Sequence, residues 1–187
     1  MSSANVKTDP IAPPISSPKT RGQRVLDKQR AILDAARTTF NAFGYRKTTI
    51  AKIAKLSGVA DGTLYLYFQS KEDLARAALA DFYAELTRSA QVGVDALNSP
   101  RERVEFLAGH HMDRVMDNYR LLEVLPAINA GQDSYEGSAL YKMNKAYVAV
   151  FDRVAKDGAA QGVFRAGMAA WTLRDIFYGS MDYAIKT

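Results

Sequence analysis

The sequence predicts an all-α fold in two parts, a group of three amino-terminal helices followed by a larger helical domain. Apolar residues recur at three- and four-residue spacing through most of the chain, and no segment alternates with the two-residue period of a half-buried strand. Glycine or proline punctuates the pattern at helix-length intervals. No internal repeat recurs, so the pattern is not that of a solenoid.

Residues 1–22 hold Pro10, Pro13, Pro14 and Pro18 among Ser and Thr and read as a flexible tail, because they offer no amphipathic face to bury. The basic residues at its end, Lys19, Arg21, Arg24 and Lys28, suit either a DNA backbone or plain solubilisation. From Asp27, a single buried face emerges in Ile32, Leu33, Ala36, Phe40 and Phe43, and Gly44 ends this first helix. Thr49 caps a second helix of about two turns bearing Ile50, Ile53, Ala54 and Leu56, which Gly58 interrupts. A third short helix covers 61–67. Ser70, with Asp73 three residues on, resembles a capping arrangement and opens a long fourth helix reaching about Leu97. Pro100 stands where a first-turn proline is tolerated, ahead of a fifth helix over 101–117. Shorter helical material follows, broken by Pro126 and Gly131. Leu140, Met143, Tyr147, Val150, Phe151 and Val154 mark another long helix before Gly158 and Gly162, and a last helix occupies 169–186. The chain thus divides into a tail (1–22), a first domain (23–75) and a second domain (76–187).

At 187 residues the chain can bury a core without crosslinks. The absence of cysteine excludes a disulfide scaffold, thiolate metal sites and a cysteine nucleophile, and it fits a reducing compartment. No run of about 18 apolar residues and no secretory apolar stretch occurs, so a cytoplasmic protein without a membrane partner is expected. The two histidines, His110 and His111, are adjacent and diverge by roughly 100° on a helix, a poor arrangement for one metal. No phosphate-loop spacing and no nucleophile with a recognisable base is present, so no catalytic residues, metal or cofactor are expected.

Charge is distributed unevenly. Residues 1–75 carry 12 Lys/Arg against 6 Asp/Glu, a net +6, while residues 76–187 carry 13 against 14, a net −1, recovering the whole-chain +5. A concentrated basic excess suits a polyanion, because neutralising phosphates releases counterions; an ordinary solvated surface is the alternative. Two short helices around a glycine turn, after a longer helix, also have the layout of a helix-turn-helix reader. With steps of roughly 100°, Leu64 and Phe68 share the buried side of the third helix and Leu66 faces nearly opposite. Gly62 lies on that outward side, Thr63 and Tyr65 flank it, and Tyr67 sits at its shoulder. A solvated helix would carry Lys and Glu there. Small residues for close approach, hydroxyls for phosphates or bases and apolar groups for thymine methyls are what a major-groove reader needs. The competing reading packs Tyr65 and Leu66 beneath another helix or against a protein partner, as in a helical adaptor that binds no DNA.

Gly44-Tyr45, Thr48-Thr49-Ile50, Ile53-Ala54, the run from Gly58 through Val59-Ala60-Asp61-Gly62-Thr63-Leu64-Tyr65-Leu66-Tyr67 to Phe68, and Ser70-Lys71-Glu72-Asp73-Leu74 are similar to the amino-terminal domain of TetR-family regulators. The resemblance covers about residues 27–80. It implies a homodimer whose paired third helices enter successive major grooves of a pseudo-palindromic operator in double-stranded DNA, repressing until a small-molecule effector binds. It places Thr48, Thr49, Gly62, Thr63, Tyr65, Leu66, Tyr67 and Lys71 at the DNA. Thr49 would cap the second helix and touch a phosphate, Tyr65 and Tyr67 would meet phosphates or base edges, and Lys71 would pair with a phosphate at a helix amino terminus. Leu66 would tune sequence preference. Two positions depart from the family pattern: Ala60 replaces a frequent serine cap, a loss of roughly 1 kcal/mol, and Asp61 is acidic beside DNA. Asp61→Asn is expected to tighten general DNA binding and reduce selectivity, as titrations against operator and random duplex would register.

Val59 to Phe68 especially resemble regulators of fatty-acid degradation that respond to acyl-coenzyme A. In the second domain, Phe82, Tyr83, Leu86, Phe106, Leu107, Met112 and Met116 supply apolar surface for a ligand cavity or for plain core filling. The segments 141–156 and 171–186 are expected either to form a four-helix dimer interface or to remain intramolecular core.

Overall fold

The computed structural model describes residues 20–129, 137–165 and 167–186, and no strand occurs among them. Helix α1 (Arg21–Lys47) begins six residues before Asp27. The cause is Thr20, whose hydroxyl accepts from Gln23 N at 3.2 Å and caps a first turn with no apolar residue to register in the hydrophobic pattern. Arg21, Gly22, Arg24 and Lys28 therefore lie on a helix, which shortens the expected tail; residues 1–19, Lys19 included, lie outside the described residues. Gly44 breaks α1 as expected, with φ 72° and ψ 167°.

Helix α2 (Ile50–Ser57) is capped by Thr49, which accepts from Lys52 N at 3.3 Å, and Gly58 closes it in the left-handed region at φ 72°. Helix α3 (Asp61–Tyr65) is two residues shorter than the sequence suggests, because Leu66 N and Tyr67 N donate to Thr63 O and Leu64 O in a tightened last turn. Ile32, Phe40, Ile53, Leu64 and Leu74 are fully buried where α1, α2, α3 and α4 (Lys71–Asp95) meet. Each contributes roughly 1.5–3 kcal/mol of burial free energy. Phe43 and Leu56, expected on buried faces, are instead half exposed; Phe43 directly precedes the Gly44 break and carries Lys52 Nζ 4.6 Å over its ring.

Helix α4 runs without a break through residue 75, so the two parts of the chain share it. Ser70 caps it by accepting from Asp73 N at 3.0 Å, and Asp73 returns an acceptor to Gln69 N. Helix α5 (Pro100–Asp117) opens with Pro100 and a capping box between Ser99 and Glu102. The short α6 (Tyr119–Leu122) and α7 (Leu125–Asn129) follow. Pro126 stands in the first turn of α7 and does not interrupt it, since a first-turn N–H has no helical partner to lose; Gly131 lies outside the described residues. Helices α8 (Ala139–Ala160) and α9 (Ala170–Lys186) complete the second part, with α8 packed on α4, α5 and α9. Among the described residues, no helix is long and apolar enough to cross a membrane.

Candidate nucleic-acid interface and ligand cavity

Because Leu64 and Phe68 are drawn into the core, the opposite side of α3 is forced outward. Leu66 is 83% exposed and Tyr65 54%. No described helix covers them. Gly62 is exposed, with nothing within 4 Å of where a Cβ would stand, while Thr63 and Tyr67 are half-buried at the edges of the face. Ala60 leaves α3 without a side-chain cap, as expected. Thr49 is exposed beside this face, and so are Arg46, Lys47, Lys52 and Lys55. The individual cations were not singled out in the sequence, although the local basic excess contains them.

Two expected interface residues have inward duties. Thr48 is 1% exposed, and its hydroxyl lies 2.8 Å from Gly44 O and 3.2 Å from Thr39 O, donating its one proton between them. Its side chain braces the α1–α2 corner and presents no hydroxyl outward. Lys71 Nζ donates to Tyr45 O at 3.1 Å and Thr48 O at 3.3 Å, and lies 4.3 Å over the Tyr45 ring. One of its three N–H groups is left over. Tyr45 in turn donates to Glu72 Oε1 at 2.5 Å. Burial and this bond push the Tyr45 phenol up to about 12, and the bond holds the Glu72 carboxyl below its usual range. The corner is thus tied to the start of α4 from both sides.

A cavity of about 780 Å³ lies among α4 to α9. Phe82, Tyr83 and Leu86 line it, as the sequence suggests. Phe106, Leu107, Met112 and Met116 do not. Leu107 is fully buried core, Met116 is 61% exposed, and the Phe106 ring fills the notch at Gly93, 2.0 Å from where a Cβ would stand. The polar lining comes instead from α5, α8 and α9, where Tyr147 stands in the periodic pattern but His111 and Asp182 do not. His111 Nδ1 meets Tyr147 Oη at 3.1 Å and its Nε2 meets Asp182 Oδ1 at 3.3 Å. Burial raises the Tyr147 and Tyr178 phenols above their ordinary range. His110 turns away, with Nε2 2.8 Å from Ser89 Oγ, and burial pushes its imidazole below the usual value. The two histidines diverge as expected, and no group of three or more potential metal ligands occurs among the described residues.

The cavity is wired to the α1 end. Tyr119 and Leu122 of α6 line it, while between them Arg120 Nη1 donates to Ala42 O at 2.6 Å and Leu121 N to Asn41 Oδ1 at 3.1 Å. Asn41 Nδ2 donates to Asn118 Oδ1 at 3.0 Å. Arg37 of α1 also bonds Asp81 at 3.1 Å and Glu85 at 2.7 Å on α4. On α9, Trp171, Ile176 and Tyr183 remain 61%, 59% and 72% exposed.

Residues 32–78 match the family described as "Bacterial regulatory proteins, tetR family", and residues 82–187 match "YsiA-like protein, C-terminal region". The "Fatty acid metabolism regulator protein" of Bacillus subtilis (strain 168) is 24% identical over 161 residues, 86% of this chain and 82% of its own length. The "HTH-type transcriptional regulator RutR" of Escherichia coli (strain K12) is 47% identical over 64 residues, 33% of this chain and 30% of that protein. A FadR regulator from Bacillus subtilis solved in complex with stearoyl-CoA has a TM-score of 0.68 at 24% identity, covering 83% of this chain and 84% of its own.

Proposed function

Because this chain belongs to the TetR family of bacterial transcription regulators, which bind DNA, we propose that it is a homodimeric repressor released from its operator by a long-chain acyl-coenzyme A. The observation that carries the DNA reading is the outward face of α3, where Gly62, Tyr65 and Leu66 are exposed. Gly62 lets the backbone approach the major groove, Leu66 meets thymine methyls, and Thr49, Thr63, Tyr65 and Tyr67 donate to phosphates or base edges. Thr48 acts by holding the corner. Lys71 holds the same corner and offers its remaining N–H to a phosphate. We take residues 23–75 as the reader and 76–187 as the sensor, joined through α4.

The acyl-CoA reading is supported by the relative that regulates fatty-acid metabolism and by the similar structure that holds stearoyl-CoA. A ligand in the cavity touches α6, whose hydrogen bonds to Asn41 and Ala42 give it a direct grip on the reader. Exposed Trp171, Ile176 and Tyr183 support pairing of α8 and α9 across a dimer axis. The test is release of a labelled operator duplex by stearoyl-CoA, with acetyl-CoA and stearate in parallel. Release by stearoyl-CoA alone is expected. Equal release by acetyl-CoA, or none by any acyl-CoA, contradicts the effector assignment.

A further inference from the structure

We propose that the cavity selects a ligand whose buried end carries an uncharged hydroxyl group, so that among acyl-coenzyme A esters those hydroxylated at or near the far end of the chain bind best; this rests on the acyl-CoA reading above. The cavity lining is divided. Glu123, Lys145 and Asp175 are exposed at its rim, whereas His111, Tyr147 and Tyr178 are buried along its inner wall. A ligand that keeps its charged end in water therefore brings its other end to one imidazole and two phenols. Their rings pack on one another, with centroids 5.9 Å apart for His111 and Tyr147, 4.9 Å for His111 and Tyr178, and 5.4 Å for Tyr147 and Tyr178. The three polar groups are thus held in place before a ligand arrives, which lowers the cost of binding it.

The hydrogen bonds already made at this wall decide what it has left to offer. An ionised Asp182 carboxylate only accepts, so it takes the proton of His111 Nε2 at 3.3 Å. In the neutral imidazole Nδ1 is then an acceptor and receives the Tyr147 hydroxyl at 3.1 Å, which leaves the Tyr147 oxygen able only to accept. In the imidazolium Nδ1 donates instead, and the Tyr147 proton is free to point elsewhere. Burial keeps both phenols protonated. A hydroxyl matches either state, because it both donates and accepts. A ketone matches Tyr147 only in the second state, and a methyl end would cover the phenol oxygens without giving them a partner. A carboxylate would be desolvated there with Asp182 just across His111, and Arg174 is already bonded to Asp152 at 3.3 Å and Asp175 at 3.0 Å. Phe82, Leu86, Val115 and Val148 supply apolar surface for the rest of the chain.

The experiment is direct calorimetric titration of the full-length protein with stearoyl-CoA, the same thioester hydroxylated at its last carbon, and the same thioester oxidised there to a carboxylate. Palmitoyl and lauroyl pairs, plain and hydroxylated, set the hydroxyl at other depths. Tyr147→Phe and Tyr178→Phe each remove one phenol oxygen and keep the ring; circular dichroism and operator binding without ligand confirm that each variant is folded. Wild type is expected to bind the hydroxylated ester of at least one chain length about ten-fold more tightly than its plain counterpart, and the carboxylate more weakly than either. In Tyr147→Phe that preference should fall to about three-fold or less while the plain ester binds at least as tightly as it does to wild type, a split that loss of structure alone would not give. Tyr178→Phe should move the preference in the same direction. Equal binding of hydroxylated and plain esters at every length, or a preference unchanged in both variants, overturns the hydroxyl assignment and leaves the effector reading standing. Failure of wild type to bind any of these thioesters overturns the effector reading and this assignment with it.

Discussion

On the proposed assignment, the reader and the sensor place function on opposite sides of their packing. In the reader, Ile32, Phe40, Ile53 and Leu64 form a fully buried core, and the side chains assigned to DNA are those that this core pushes outward on α3. In the proposed sensor, polar groups are turned inward, where His111, Tyr147 and Tyr178 sit together in a cavity wall. A surface reader can be stiff, because it needs only to hold a shape. A sensor must keep space for its ligand, which costs packing.

The sharpest way to break this contrast is to remove the reader's core. Phe40→Ala should cost about 3–5 kcal/mol in denaturant unfolding, because a large cavity opens where three helices converge. A loss below about 1 kcal/mol would mean the reader is not organised around that ring. Next in size are the outward residues: Tyr65→Ala and Leu66→Ala should each cost about 1–3 kcal/mol in operator affinity while leaving unfolding free energy within about 0.5 kcal/mol. Paired titration and denaturation experiments separate the two quantities, and equal losses in both would show that these side chains are packing groups.

Ala60→Ser tests the missing cap. It should stabilise the reader by about 1 kcal/mol, since a serine at that position supplies an acceptor for an orphan N–H of α3. The smallest expected effect is a pH dependence in the sensor. Burial lowers the His110 pKa from its ordinary 6.5, so the unfolded chain takes up a proton more readily than the folded one. Stability from this group is full above about 6.5 and falls as pH drops towards the lowered folded value. Thermal melts between pH 7.5 and 5 should show a decline in Tm that is shallower in His110→Gln; parallel curves would assign the acid sensitivity elsewhere.

The same contrast explains what could be read from the chain. In the reader, local signals sufficed: Gly44 and Gly58 at positive φ, the Thr49 cap and the opposition of Leu64 and Leu66 all lie within a few residues of what they control. What local signals there do not show is set by tertiary partners, as with Thr48 turned to Gly44 O and Lys71 turned to Tyr45 O. In the sensor, the helices and the α4 side of the cavity, Phe82, Tyr83 and Leu86, were legible, but its polar wall was not. Its wall joins Tyr83, His111, Tyr147 and Asp182, brought from four helices, and nothing in the spacing of His111 and Asp182 announces that they meet.

The account stands most directly on whether α3 reads DNA. The deciding measurement is a fluorescence anisotropy titration of the labelled duplex upstream of this protein's own gene, at several salt concentrations, with wild type, Tyr65→Ala and a random duplex. The predicted result is tight binding to the upstream duplex that falls steeply with salt, weakens about five-fold or more in Tyr65→Ala and exceeds random binding by orders of magnitude. Equal affinity for both duplexes, unchanged by the substitution, together with no enriched sequence in a selection from genomic fragments, would contradict it.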